Sequence, residues 1–117
     1  SILASSSLDR SIVLSTVVTH TNSINVRAKL LGHKSAVTDV AWIPNGNGRL
    51  VSCSADQSVI VWDTDACIKT RCFRNLNSVI NSVATSVSHQ NQFSVASDDK
   101  YTRLFDIRTR ENHGCVA

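Results

Sequence analysis

Residues 54–63, SADQSVIVWD, return 43 positions later at 97–106 as SDDKYTRLFD, without a gap. Ser54 pairs with Ser97, Asp56 with Asp99, Val61 with Leu104, Trp62 with Phe105 and Asp63 with Asp106, so each pair is identical or keeps its chemical type. A unit of this length cannot bury its own apolar face alone, so the fold is restricted to stacked or ringed copies. A third copy lies upstream: SSLDRSIVLST at 6–16 matches CSADQSVIVWD at 53–63, with Asp9 standing 47 positions before Asp56. The four extra residues fall between Thr16 and Gly32, where a surface connection tolerates them. The stretch 17–26, VVTHTNSINV, is therefore expected to be an extended loop.

Within one copy the pattern is that of strands. VTDVAWI at 37–43 is rich in β-branched and aromatic types, and a turn signal, Asn45-Gly46-Asn47-Gly48, follows it. RLVSCSA at 49–55 and VIVW at 59–62 flank the Asp56-Gln57 interruption, and IKTRCF at 68–73 alternates with period two. Strand, turn, strand, tight turn, strand and a fourth strand make one antiparallel sheet per copy. Nothing reads as a helix, and the lone proline, Pro44, sits at a strand end where its missing amide does no harm.

Composition removes several function classes. An apolar content of 42% with 18% charge suits a globular domain, and no apolar run has membrane-spanning length. Neither a secretory signal nor an initiating Met opens the chain, which fits a segment that begins inside a longer protein. Cys53, Cys67, Cys72 and Cys115 match neither a metal-ligand spacing nor a dense disulfide framework, so reduced thiols and no metal cofactor are expected. A net charge of +3 is too mild to announce nucleic-acid binding. The basic groups Arg27 and Lys29, then Lys69, Arg71 and Arg74, then Arg103, Arg108 and Arg110, read as exposed strand faces that discourage pairing with other sheets.

Gly32-His33 before the first strand of the middle copy, Asp56 in its tight turn and Trp62-Asp63 closing its third strand resemble the WD-repeat, or WD40, family. The resemblance extends over the whole chain and implies an all-β WD40 β-propeller fragment of about three four-stranded antiparallel blades, from a parent of seven. It divides the chain into 1–32, a blade without its first strand, 33–75, a complete blade, and 76–117, a blade without most of its last strand. It also implies a hydrogen-bonded tetrad of His33, Ser52 (or Ser54, on the same strand face), Asp56 and Trp62. A buried set of this kind gives every polar group a partner and avoids about 1–3 kcal/mol for each one left unsatisfied. Ser, His and Asp together also invite a hydrolase reading, but neither a nucleophile elbow nor an oxyanion loop accompanies them. The expectation is no enzyme and no cofactor.

The outer copies depart from the pattern. In the third, Asn75 and Leu76 replace the Gly-His pair, Val95 the strand Ser and Phe105 the Trp; in the first, Ser15 and Thr16 replace Trp and Asp, while Ser5 and Asp9 stay. Those blades are expected to rest mainly on apolar packing. Seven blades need about 300 residues, so this chain reads as an internal piece of a larger propeller.

What the resemblance implies in function is a scaffold for the protein subunits of a larger complex, with RNA at most peripheral, no membrane contact and no small-molecule substrate. Arg10, Lys34, Gln57, Asn77 and Lys100 stand on connections that would share one propeller face, and are candidate partner-binding residues. LASSSLDRSIVL, SADQSVIVWD, VINSV and the closing Asp106-Ile107-Arg108 are similar to WD-repeat subunits of the spliceosome, which implies a nuclear role in mRNA splicing, with a cytoplasmic one as the alternative. Phe105-Asp106-Ile107-Arg108 also partly matches the substrate receptors of cullin-type ubiquitin ligases, and adds Arg108 to the candidates.

Overall fold

The computed structural model describes residues 2–18, 23–44, 48–74, 76, 78–88 and 91–108. Among them every regular element is a strand: β1 (Ile2–Ser6), β2 (Ser11–Val18), β3 (Ser23–Leu31), β4 (Val37–Trp42), β5 (Arg49–Ser54), β6 (Val59–Asp63), β7 (Ile68–Phe73), β8 (Ile80–Thr85), β9 (Gln92–Ser97) and β10 (Thr102–Asp106). They form three antiparallel sheets in sequential order, β1-β2-β3, β4-β5-β6-β7 and β8-β9-β10. The architecture is the all-β one expected of a WD40 propeller fragment.

Period-two alternation in the middle sheet supplies two cores at once. Val51, Cys53, Val59, Val61 and Phe73 face the third sheet, where they meet Ile80, Val83, Phe93, Val95, Phe105 and Ile107. Leu50, Ile60, Trp62 and Cys72 face the first sheet and meet Ile12, Leu14 and Leu30. A sheet buried on both faces explains why 50–54 and 59–62 are buried without interruption. Phe73 lies 4.9 Å from Phe105 and 6.0 Å from Phe93, centroid to centroid, and Phe93 stacks on Phe105 at 5.4 Å. Each such ring contributes about 1.5–3 kcal/mol on burial, and a ring pair adds about 0.5–1.5 kcal/mol.

Polar ties between sheets come from a repeated irregularity. The register shifts between Val37 and Asp39 against β5, and again 43 residues later between Ile80 and Ser82 against β9. Such a bulge re-aims a side chain. Thr38 Oγ1 donates to the Ile80 carbonyl at 2.5 Å, while Asp39 accepts the Val83 amide at 3.0 Å and Thr85 Oγ1 donates to the Trp42 carbonyl at 2.9 Å.

One expectation needs correction. Much of 17–26 is strand, because β2 continues through Val17-Val18 and β3 begins at Ser23, with Val17 opposite Ile24 and Val18 opposite Ser23. The β-branched residues flanking the insertion extend the hairpin, and only 19–22 lie outside the described residues. Asn77, Asn45–Asn47, Arg110 and Cys115 also lie outside them. Cys53, Cys67 and Cys72 are free thiols.

Candidate functional site

The β1–β2, β5–β6 and β9–β10 turns share one construction and lie at one end of their sheets. The amides of Arg10, Gln57 and Lys100 donate to the carbonyls of Ser7, Ser54 and Ser97 at 3.4, 3.3 and 3.1 Å. Those three residues have φ of 75°, 68° and 68°, the left-handed setting that a three-residue hairpin loop requires at its last position. Glycine usually fills that position; a residue with a Cβ costs about 1–2 kcal/mol there. The preceding Asp compensates in each copy: Asp9, Asp56 and Asp99 accept the amides of Ser11, Ser58 and Tyr101 at 3.1, 3.0 and 3.1 Å. The result is an exposed Arg, Gln or Lys at each turn tip.

In the middle sheet this turn is bound to the chain entering β4. His33 is buried, with Nδ1 3.1 Å from Asp56 Oδ2 and Nε2 2.7 Å from Ser52 Oγ, and Trp62 Nε1 donates to the same Ser52 Oγ at 2.8 Å. Counting donors assigns the protons: the indole donates to Ser52, Ser52 donates to Nε2, and Nδ1–H donates to Asp56, so a neutral imidazole satisfies the chain. Asp56 also accepts the Lys34 amide at 2.8 Å and the Ser58 hydroxyl at 2.5 Å. Burial pushes its carboxyl up, but the His33 ring, the Ser58 hydroxyl and the Lys34 amide outweigh that and hold it well below the usual carboxylate range. Ser54 plays a different part: its hydroxyl donates to the Ala36 carbonyl at 2.7 Å and accepts the Asp56 amide at 3.0 Å.

The Asp56–His33–Ser52 order matches that of a hydrolytic triad, but the environment does not serve catalysis. Ser52 is 0% exposed, and its oxygen already accepts the indole N–H and lies against the imidazole. A nucleophile needs room for a substrate carbonyl within reach; here the hydroxyl is enclosed by protein. Cys53, on the opposite face of β5, is pushed up to about 11, chiefly by burial, and is correspondingly inert as a thiolate. Among the described residues no group of three His, Cys, Asp or Glu side chains could hold a metal ion.

Of the candidate partner-binding residues, Arg10, Lys34, Gln57 and Lys100 are exposed at the same end. The Ser7 carbonyl accepts the Val37 amide at 3.0 Å and the Gln57 carbonyl accepts the Leu76 amide at 3.2 Å, so the first two turns are each tied to the chain of the next sheet. Arg108 belongs to the opposite end of the third sheet. Its Nε and Nη2 bond Asp106 at 3.0 and 2.6 Å, and that guanidinium holds the Asp106 carboxyl below its ordinary range. Asn77 lies outside the described residues.

Arg103, read from the sequence as one of the exposed strand cations, instead takes the place of the histidine in the third sheet. Its Nη1 donates to Ser97 Oγ at 2.7 Å and its Nη2 to Asp99 Oδ2 at 2.8 Å, with the guanidinium 5.9 Å from the Tyr101 ring centre. The Arg103 and Ser97 bonds hold the Asp99 carboxyl well below its usual range. The available signal was an Arg four residues after the turn Asp and two after the turn's end. In the first sheet, among the described residues, Asp9 has its own turn serines and Lys29 at 3.9 Å, a solvated contact of little weight.

Comparison with known proteins adds the family. The family model for the WD40 repeat (WD domain, G-beta repeat) matches residues 24–63. The chain is 30% identical over 104 residues to the histone acetyltransferase type B subunit 2 of Aspergillus oryzae, covering 83% of this chain and 24% of that protein. It is 31% identical over 100 residues to a guanine nucleotide-binding protein subunit beta of Arabidopsis thaliana, covering 81% and 26%. Radiation-sensitive protein 28 of Saccharomyces cerevisiae is 32% identical over 114 residues, covering 97% and 22%. The chain thus spans about a quarter of the length of these relatives.

Proposed function

We propose that this WD40-repeat chain is part of a non-catalytic scaffold, a subunit that joins other proteins into a nuclear complex. In this reading residues 1–32, 33–75 and 76–117 are successive blades of a seven-bladed parent, and partners dock on the end that carries Arg10, Lys34, Gln57 and Lys100, with Asn77 a further candidate from the sequence. The observation that carries it is the contrast at that end: Ser52 and His33 are buried inside the sheet, while Lys34 and Gln57 stand exposed on the two connections that the Ser-His-Asp set holds in place. A rigid connection loses little freedom on binding, which favours recognition.

Two finer identities have separate support. The runs LASSSLDRSIVL, SADQSVIVWD and VINSV favour the WD-repeat subunit of the spliceosomal U5 small nuclear ribonucleoprotein, acting in pre-mRNA splicing. Similarity to a histone acetyltransferase type B subunit favours membership of that kind of assembly. Affinity purification of the full-length protein from cells, with partners identified by mass spectrometry, separates them. Recovery of a defined multiprotein complex, lost on combined Arg10→Glu and Lys100→Glu, supports the scaffold. Recovery of a ubiquitin-ligase adaptor that disappears on Arg108→Ala, or of no protein partner, overturns it.

A further inference from the structure

Beside the buried tetrad lies an open cleft of about 180 Å³ between the β3–β4 connection and β7. Lys34, Lys69 and Arg74 line it, against one carboxylate, Asp56. That carboxylate is already engaged: one oxygen accepts from the Ser58 amide and hydroxyl, the other from the Lys34 amide and the His33 ring. Among the described residues neither lysine forms an ion pair.

The cleft is shaped by its neighbours. A Cβ on Gly32 would stand 2.9 Å from Trp62 Cη2 and 3.2 Å from Lys69 Cδ, so the absence of a side chain there lets the indole and the lysine stem close in together. On the far wall Arg74 Nε donates to Cys72 Sγ at 3.1 Å, which fixes the guanidinium against a buried thiol. Among the described residues, two lysines outside any ion pair, beside the Arg74 guanidinium and facing a single carboxylate that is already engaged, leave a net attraction for negative charge.

We propose that this cleft receives a glutamate or aspartate side chain from an acidic segment of a partner protein. The proposal rests on the scaffold reading and names the chemistry of one docking contact. A carboxylate fits better than a phosphomonoester, whose second charge would face the ionised Asp56 close by. It also fits better than a nucleic-acid backbone, which needs a continuous basic track that a net charge of +3 does not provide.

The test is fluorescence anisotropy of a labelled, Glu-rich peptide with the full-length protein. Saturable binding is expected, weakened about tenfold by Lys69→Gln and again by Arg74→Gln, as for the loss of a charge-assisted hydrogen bond. Lys69→Arg should retain it, and Lys29→Gln, outside the cleft, should leave it unchanged. Lys69 is exposed, so unaltered thermal melts will show that the variants are folded. No binding, binding indifferent to these variants, binding only by a phosphoserine version, or equal binding by RNA of the same charge would each overturn the proposal. If cellular partners survive Lys69→Gln with Arg74→Gln but are lost with Arg10→Glu and Lys100→Glu, the cleft proposal fails while the scaffold stands.

Discussion

The middle and third sheets build the same tight turn and satisfy its aspartate in opposite ways. Asp56 is met by His33, 23 residues earlier, so one hydrogen-bonded chain runs from the turn through the imidazole and Ser52 to the Trp62 indole. Asp99 is met by Arg103, four residues later on the same hairpin. The first arrangement ties β5, β6, their turn and the incoming connection together, with the His33, Ser52 and Trp62 side chains buried. The second clamps only its own hairpin and is partly solvated. Replacing the network with apolar rings leaves the third sheet dependent on Phe73, Phe93 and Phe105. Both solutions hold the turn, but in the first the Asp56 carboxylate itself anchors the Lys34 amide of the incoming connection, whereas in the third sheet that tie runs from the Asp99 backbone amide to Ser78 Oγ at 3.0 Å.

The largest expected effect is on the middle sheet's anchor. Trp62→Ala removes a side chain that is 2% exposed and should cost about 3–5 kcal/mol in denaturant unfolding of the full-length protein. A loss under about 1 kcal/mol would mean that the site collapses without the ring.

Next comes the exchange that the repeat itself suggests. Leu76 occupies the histidine position in the third copy, so His33→Leu imports the third sheet's solution without its arginine. It leaves the buried Ser52 hydroxyl without its acceptor, at about 1–3 kcal/mol, and takes one of four donors from Asp56. Arg103→Leu should cause a smaller fall in melting temperature, because water can replace the guanidinium at Asp99. Equal losses would erase the distinction between a network and a clamp.

Acid should read the same contrast. The carboxyls of Asp56 and Asp99 both titrate below their unfolded values, so each contributes stability that is complete above the unfolded aspartate value of about 3.9 and is lost as pH falls through the folded one. Thermal melts from roughly pH 6 to pH 2 should fall more steeply for wild type than for Asp56→Asn. Parallel curves would remove Asp56 from the account. The smallest effect lies in the turn: Gln57→Gly relieves the left-handed backbone and should raise stability by about 0.5 kcal/mol, after the entropy that glycine itself loses.

Much of this was legible in the sequence because the repeat offset marks positions. His33, Ser52, Asp56 and Trp62 stand at turn, strand and entrance positions whose alternation puts them on one face of a sheet. Arg103 was not legible, since a strand arginine reads as a solvated cation until the hairpin brings it back over Asp99. The β2–β3 hairpin was not legible because the polar run 19–22 concealed its flanks: Val17–Val18 extend β2, and 23–26 already belong to β3. The cleft has no linear signature at all: Lys34, Lys69 and Arg74 line one surface only because the fold brings the β3–β4 connection beside β7, with Gly32 leaving room for the Lys69 stem against Trp62.

The central claim is that the middle sheet's polar groups act as one unit, and a double-mutant cycle between His33→Ala and Trp62→Phe tests it most directly. The two residues bond the same Ser52 oxygen without bonding each other. Denaturant unfolding of the full-length protein should give a coupling energy of about 1 kcal/mol or more, within the range for residues of one network. Additive losses would show that the four side chains are independent contacts and contradict the account.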